Sequence, residues 1–357
     1  MWQIIIKKMV SVKIKDIIRQ NIKDLIPYSS ARDEYSGGNA VLLDANENPY
    51  NSRYNRYPDP LQRELKLKIS RITGVNSTNI FLGNGSDEAI DLLIRAFCNP
   101  GMDNVIMTDP TYGMYEVCAK INDTGIKKAL LNEDFSLNTD NLLGCVNTNS
   151  KIIFLCSPNN PTSNLFNEYE VIKIIKKFKG LVVIDEAYID FSGSKGFLPI
   201  LGNYPNLVIL RTFSKSWGLA GIRLGMAFAC EDIISVLNKI KYPYNVNILT
   251  QNVALNFLDK LEYKEKWIKS VLAEKKIMIG QLESINSVLK VYPSDANFLL
   301  VKVTHARKLY DYLKEQKIIV RDRSRVSLCS DCLRITIGTK TENLKLLKYI
   351  RRYSDNS

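Results

Sequence analysis

Three short apolar runs constrain this chain more than any other feature: Ile152-Ile153-Phe154-Leu155, Leu181-Val182-Val183-Ile184 and Leu207-Val208-Ile209-Leu210. None alternates apolar with polar residues, so none suits a strand with one wet face. Each reads as a strand buried on both faces, the pattern of a parallel sheet covered by helices. The unusual polar residues come directly after each run. In open α/β sheets ligands bind beyond the carboxyl ends of the strands, so the three runs aim their polar successors at one crevice.

Helical patterns and short strands alternate from residue 60 to residue 230. Asp59 and Pro60 read as the cap and first turn of a helix. Leu61, Leu65, Ile69 and Ile72 fall on one of its faces and Gly74 ends it. Ile80-Phe81-Leu82 reads as a strand, then Gly83-Asn84-Gly85, then a helix from Ser86 to Phe97. After residue 245 come helical stretches over 247–283, a strand at Asn297–Val301, a helix near 305–316, strands near 318–320 and 333–337, and a last helix from Thr341. This predicts an α/β chain with a large domain (51–265) and a small α+β domain (266–357), the arm 1–50 joining the small one.

With 357 residues, 45% of them hydrophobic, the chain has length enough for that division. No apolar run approaches the roughly 20 residues of a membrane helix. Ile4–Ile6 is too short for a secretory core, and Lys7-Lys8 follows it rather than preceding it; Met9 is a second candidate start. The only histidine, His305, has no metal-ligand spacing to the Cys329-x-x-Cys332 pair. That removes a zinc site and Ser-His-Asp chemistry, and leaves the two thiols as free cysteines in a turn. The net charge of +12 raises the question of nucleic acid. Yet the lysines lie scattered among acids on amphipathic helices, with no basic stripe interleaved with aromatics. A basic surface that favours small anionic substrates fits better.

Lys215 follows the third buried run within Thr212-Phe213-Ser214-Lys215-Ser216-Trp217-Gly218. Scarce solvent and the nearby Arg223 charge would lower its pKa and favour a free, nucleophilic amine. Thr212, Ser214 and Arg223 offer groups suited to a phosphate. The Gly83–Asp87 turn could add the backbone N–H groups of Ser86 and Asp87 at a helix start, or be a plain turn. Asp185, ending a buried strand, needs a cation such as a protonated pyridine nitrogen; taken alone it reads sooner as a helix cap. Tyr112 could stack on a flat ring or pack in the core. Asn160, in a Pro-rich turn after the first run, could hydrogen-bond a phenolic oxygen.

In this order the elements resemble the fold-type I pyridoxal-phosphate aminotransferases, and most closely the histidinol-phosphate aminotransferases. The resemblance runs from Pro27–Arg32 through Leu43-Asp44-Ala45-Asn46-Glu47-Asn48-Pro49, Arg56–Pro60 and Pro110–Tyr115 to Leu333–Thr339. It implies that Lys215 carries pyridoxal 5'-phosphate as a Schiff base, that Asp185 pairs with the pyridine nitrogen, and that Asn160 and Tyr188 bond the ring's phenolic oxygen. Tyr112 would stack on the ring, with Ser214, Arg223, Ser86 and Asp87 on the phosphate. Tyr57 would reach the phosphate from a partner subunit, which implies a homodimer, and Tyr28, Arg321 and Arg334 would bind substrate. The implied reaction, in the cytoplasm, moves an amino group between histidinol phosphate and 2-oxoglutarate in histidine biosynthesis. A threonine-phosphate decarboxylase-like lyase and an aromatic aminotransferase are its rivals.

Overall fold

Within the described residues of this computed structural model (12–28, 40–51 and 54–355), the apolar runs become the centre of a seven-stranded sheet. Its strands in chain order are β1 (Ile80–Asn84), β2 (Asn104–Asp109), β3 (Gly125–Leu130), β4 (Ser150–Cys156), β5 (Leu181–Asp185), β6 (Leu207–Thr212) and β7 (Leu224–Phe228). They lie in the order β1-β7-β6-β5-β4-β2-β3. All pairs are parallel except those of β7, which runs antiparallel to β1 and β6. Met9, Ile4–Lys8 and Ser29–Arg32 lie outside the described residues.

The three runs are β4, β5 and β6, side by side, with Ile153, Phe154, Val183, Ile184, Val208 and Ile209 fully buried. Alternate residues feed two apolar layers, one on each side of the sheet. At about 1.5–3 kcal/mol for each fully buried aliphatic side chain, these layers stabilise the sheet that carries the site. Helix Glu168–Lys177 makes the crossover from β4 to β5, and the Asn167 side chain caps it by accepting from Tyr169 N at 2.9 Å.

The helix expected from Pro60 begins later, at Arg63. Gln62 is left-handed (φ 49°), which breaks the first turn. Asp59 still anchors the start, accepting from Leu61 N at 3.0 Å and Arg63 N at 2.6 Å. Gly74 ends the helix with φ +73° as expected.

The second sheet, of β8 (Val288–Val291), β9 (Phe298–Val303), β10 (Arg321–Asp322) and β11 (Cys332–Thr336), is antiparallel in the order β10-β11-β9-β8. The strand expected near 318–320 thus forms at Arg321–Asp322, where backbone pairing with β11 is available. One face of this sheet, with Leu299, Val301, Leu333 and Ile335, packs on helices Ala306–Glu315 and Lys340–Asp355. Leu300, on the other face, joins the core of the large sheet. Among the described residues no helix is long and apolar enough to cross a membrane.

Candidate active site

The ends of β4, β5 and β6 and the start of the helix after β1 enclose a cavity of about 190 Å³. Ser86, Asp87, Ser214 and Arg223 line it near the ends of β1, β6 and β7; Tyr112, Asp185, Tyr188 and Lys215 complete it. A larger groove of about 1010 Å³ shares only Thr212 with the residues expected to do chemistry. Of its charged residues, Arg211 and Lys264 are paired, with Glu186 at 2.7 Å and Asp190 at 2.9 Å. The smaller cavity is the one that gathers Lys215 and Asp185 beside a helix start, with Arg223 3.7 Å from the Asp87 carboxylate at its edge.

Asp185 is buried at the end of β5. Its Oδ2 accepts from the Tyr115 hydroxyl at 2.9 Å and its Oδ1 from Ala187 N at 3.1 Å. Burial pushes the acid up to about 6, with these two bonds opposing the rise. Both donors are neutral, so a cation entering the cavity would still find an unneutralised carboxylate. The helix-cap reading fails, since only a 3₁₀ turn at Ile189–Phe191 follows.

Lys215 sits in the loop after β6, open to the cavity and flanked by its walls, with Nζ 5.6 Å from the centre of the Tyr188 ring. Its pKa is lowered, first by desolvation and then by Arg334, against the pull of Asp185 and Asp87. Arg223 lowers it too, as the sequence suggests, but less than Arg334, which the small sheet brings across. The next residue holds the loop in place: Ser216 Oγ donates to the Asp190 carboxylate.

The helix Ser86–Phe97 opens beside Arg223. Gly85 has φ +75°, and a Cβ there would stand 2.9 Å from Arg223 Nη2, so glycine lets the guanidinium lie against the helix start. Gly85 N donates to Arg223 O at 2.8 Å. Thr212 Oγ1 donates to Ser214 Oγ at 3.0 Å, setting that hydroxyl at the cavity edge. First-turn N–H groups lack intrahelical acceptors, and beside a guanidinium and a hydroxyl they form an anion cradle.

Tyr112 donates to Asp87 Oδ1 at 3.1 Å and meets Tyr115 edge-on, centroids 5.5 Å apart. Asn160 Oδ1 accepts from Arg334 Nη1 at 2.5 Å, while Asn160 Nδ2 donates to the Tyr188 hydroxyl at 3.4 Å. This line of contacts joins the small sheet to the cavity. Arg321 is exposed on β10, directly opposite Arg334. Tyr57 and Tyr28 do not reach the cavity of their own chain: Tyr57 stacks on Tyr244 at 4.3 Å, and Tyr28 is 74% exposed. Sequence reasoning missed Tyr115. Its one signal is its place a helical turn beyond Tyr112, which looks like core spacing.

These groups form a set suited to a phosphorylated pyridine aldehyde: donors for an anion at a helix start, a buried acid that no cation contacts among the described residues, and a lysine with a depressed pKa. That defines a pyridoxal-phosphate type of site on a mostly parallel sheet. Residues 33–350 match the family described as aminotransferase class I and II, and the chain belongs to that family. Within it the chain groups with the histidinol-phosphate aminotransferases. The Bacteroides fragilis enzyme of that name is 57% identical over 341 residues, 95% of this chain and 99% of the relative. The crystal structure of histidinol-phosphate aminotransferase from Clostridium acetobutylicum has a TM-score of 0.79 at 26% identity, covering 86% of this chain and 92% of that one. The Sinorhizobium meliloti enzyme, solved in complex with pyridoxal-5'-phosphate, shares the fold at TM-score 0.76 and 21% identity, over 84% of this chain and 83% of that one.

Proposed function

We propose that this chain transfers an amino group between L-histidinol phosphate and 2-oxoglutarate, giving imidazole acetol phosphate and glutamate, as a step of histidine biosynthesis. The observation that carries the reading is that Lys215 and Asp185 line one cavity, which Asn160 links to the Arg334 guanidinium. The identity to histidinol-phosphate aminotransferases over nearly the whole chain selects this substrate among those the fold accepts.

Pyridoxal 5'-phosphate, when bound, supplies the electron sink that lets the amino-bearing carbon lose a proton. Ser214, Arg223 and the amides of Ser86 and Asp87 would hold its phosphate, and Asp185 would keep the ring nitrogen protonated. Tyr112 would cover the ring, and Asn160 with Tyr188 would bond its phenolic oxygen. Lys215 would anchor it at rest and then carry the proton at Nζ, a task that its lowered pKa suits. Arg334 and Arg321, with Tyr28, would bind the substrate's anionic end. In this reading the enzyme is a cytoplasmic homodimer with Tyr57 serving the partner's cofactor, divided into an arm (1–50), a cofactor domain (51–265) and a small domain (266–357).

Single-turnover rates of the loaded enzyme with histidinol phosphate, glutamate, phenylalanine and threonine phosphate test the reading. Histidinol phosphate and glutamate are expected to convert the cofactor stoichiometrically to its amine form. Carbon dioxide released from threonine phosphate would indicate a lyase instead, and phenylalanine outrunning histidinol phosphate an aromatic aminotransferase.

A further inference from the structure

Arg321 and Arg334 stand opposite each other across β10 and β11. The pairing continues one residue further, where Arg323 N donates to Cys332 O at 2.9 Å. Strand residues two apart share a face, so Arg321, Arg323 and Arg334 project from the same side. That side carries Phe298, whose ring lies 5.3 Å from the Arg334 guanidinium carbon, and faces the large sheet. Like charges gathered on adjacent strands repel. Among the described residues none of the three has a carboxylate within ion-pair distance. The nearby acids are engaged elsewhere: Asp322, on the other face, lies 3.6 Å from Arg307, and Asp109 accepts from Ser327 at 2.6 Å.

Arg323 is the least satisfied of the three. Among the described residues its Nε–H is buried with no acceptor, a cost of about 1–3 kcal/mol for such a group. Burial, then Arg334 and Arg321, pull its pKa down, and the Tyr188 phenol counts among the groups pulling the other way. Two residues from Arg321, Arg323 lies on the face of Arg334, whose guanidinium reaches Asn160 at 2.5 Å beside the cavity.

We propose that Arg323 is a third anion-binding residue of this site and sets its preference for a doubly charged phosphate over a carboxylate. The inference rests on the substrate reading above. A carboxylate carries one charge on two oxygens, which one guanidinium fork satisfies. A phosphate monoester carries up to two charges on three oxygens and can use a further fork. An added cation therefore strengthens phosphate binding more than carboxylate binding, which is the discrimination needed by a site that takes each in turn.

The test uses the cofactor-loaded full chain and the variants Arg323→Gln and Arg323→Lys. Dissociation constants come from single turnovers with histidinol phosphate and glutamate, and inhibition constants from inorganic phosphate and acetate. Arg323→Gln is expected to weaken histidinol phosphate and inorganic phosphate by about tenfold or more, and glutamate and acetate by under about threefold, the difference expected of one charge-assisted hydrogen bond. Arg323→Lys should recover part of the loss for phosphate. Equal weakening of all four ligands would mark a purely structural role, and unchanged phosphate binding would remove any role; either overturns the proposal. If the wild type reacts with glutamate but not with histidinol phosphate, the substrate reading fails, and inorganic phosphate still decides for or against Arg323.

Discussion

The Tyr115 hydroxyl donates to Asp185 Oδ2 at 2.9 Å inside a fully buried pair, with the Tyr115 ring stacked on Phe154 at 4.8 Å. The bond opposes the rise that burial imposes on the Asp185 carboxyl, so it favours the charged form that a protonated pyridine needs. Tyr115→Phe keeps the stacked ring and removes the donor. Turnover is expected to fall about tenfold or more, the size of a hydrogen bond to a charged group, with the melting temperature nearly unchanged. The pH at which the bound cofactor's ring nitrogen titrates should fall as well, because a less charged acid holds that proton less well. An unchanged rate and titration would show that Tyr115 serves packing alone.

Asp185 makes the cofactor-free protein less stable at neutral pH, and the sign follows from its shift. Its carboxyl rises from 3.8 to about 6 on folding, so between those values the native state binds the proton more tightly than the unfolded chain. Stability from this group is present below about pH 4 and lost as pH rises through 6. Asp185→Asn is neutral throughout and keeps an acceptor oxygen. The cofactor-free variant should be more stable than wild type at pH 7, by at most about 3 kcal/mol, and equal to it near pH 4. Loaded with cofactor it should lose turnover by roughly a thousandfold. Denaturant titrations at both pH values check the first expectation; a variant less stable at pH 7 contradicts it.

Lys215→Ala should fold, bind cofactor without a covalent link and transaminate at least about a thousandfold more slowly, the upper range for a positioned acid–base group. Borohydride reduction of the loaded wild type followed by peptide mapping should place the label on Lys215. A label on another lysine overturns the assignment. Ser216→Ala, which frees the loop from Asp190, should reduce kcat more than it raises KM, since it disturbs where Lys215 points rather than what binds.

What could be read from the sequence follows physical range. Asp185 and Lys215 were legible because each follows a run with no polar alternation, and both line the cavity beyond those strands. Tyr115 was not, because its partner lies 70 residues away and its helical spacing is that of any core residue. Arg323 depends on pairing between β10 and β11, which becomes visible only once Arg321 is known to face Arg334. The helix start moved from Pro60 to Arg63 because Gln62 is left-handed, a conformation that its residue type does not announce. Tyr57 and Tyr28 came from family resemblance alone, and within one chain they stand away from the cavity.

With Arg334 and Arg321 proposed to hold the substrate's anionic end, two substitutions separate their shares. Arg334 reaches Asn160 at 2.5 Å and lies over the Phe298 ring, so its planar fork is oriented before substrate arrives. An ammonium keeps the charge but has neither the fork nor the same stacking. Arg334→Lys should therefore slow both half-reactions by about tenfold to a hundredfold, the range for losing a charge-assisted pair of bonds. Arg321 is exposed on the edge strand, where its charge is better screened and its contribution to a singly charged carboxylate small. Arg321→Ala should weaken histidinol phosphate more than glutamate. Single turnovers with each substrate, run on both variants, provide the comparison. Equal losses for Arg321→Ala on both substrates would place Arg321 among residues that shape the small sheet, leaving phosphate recognition to its neighbours.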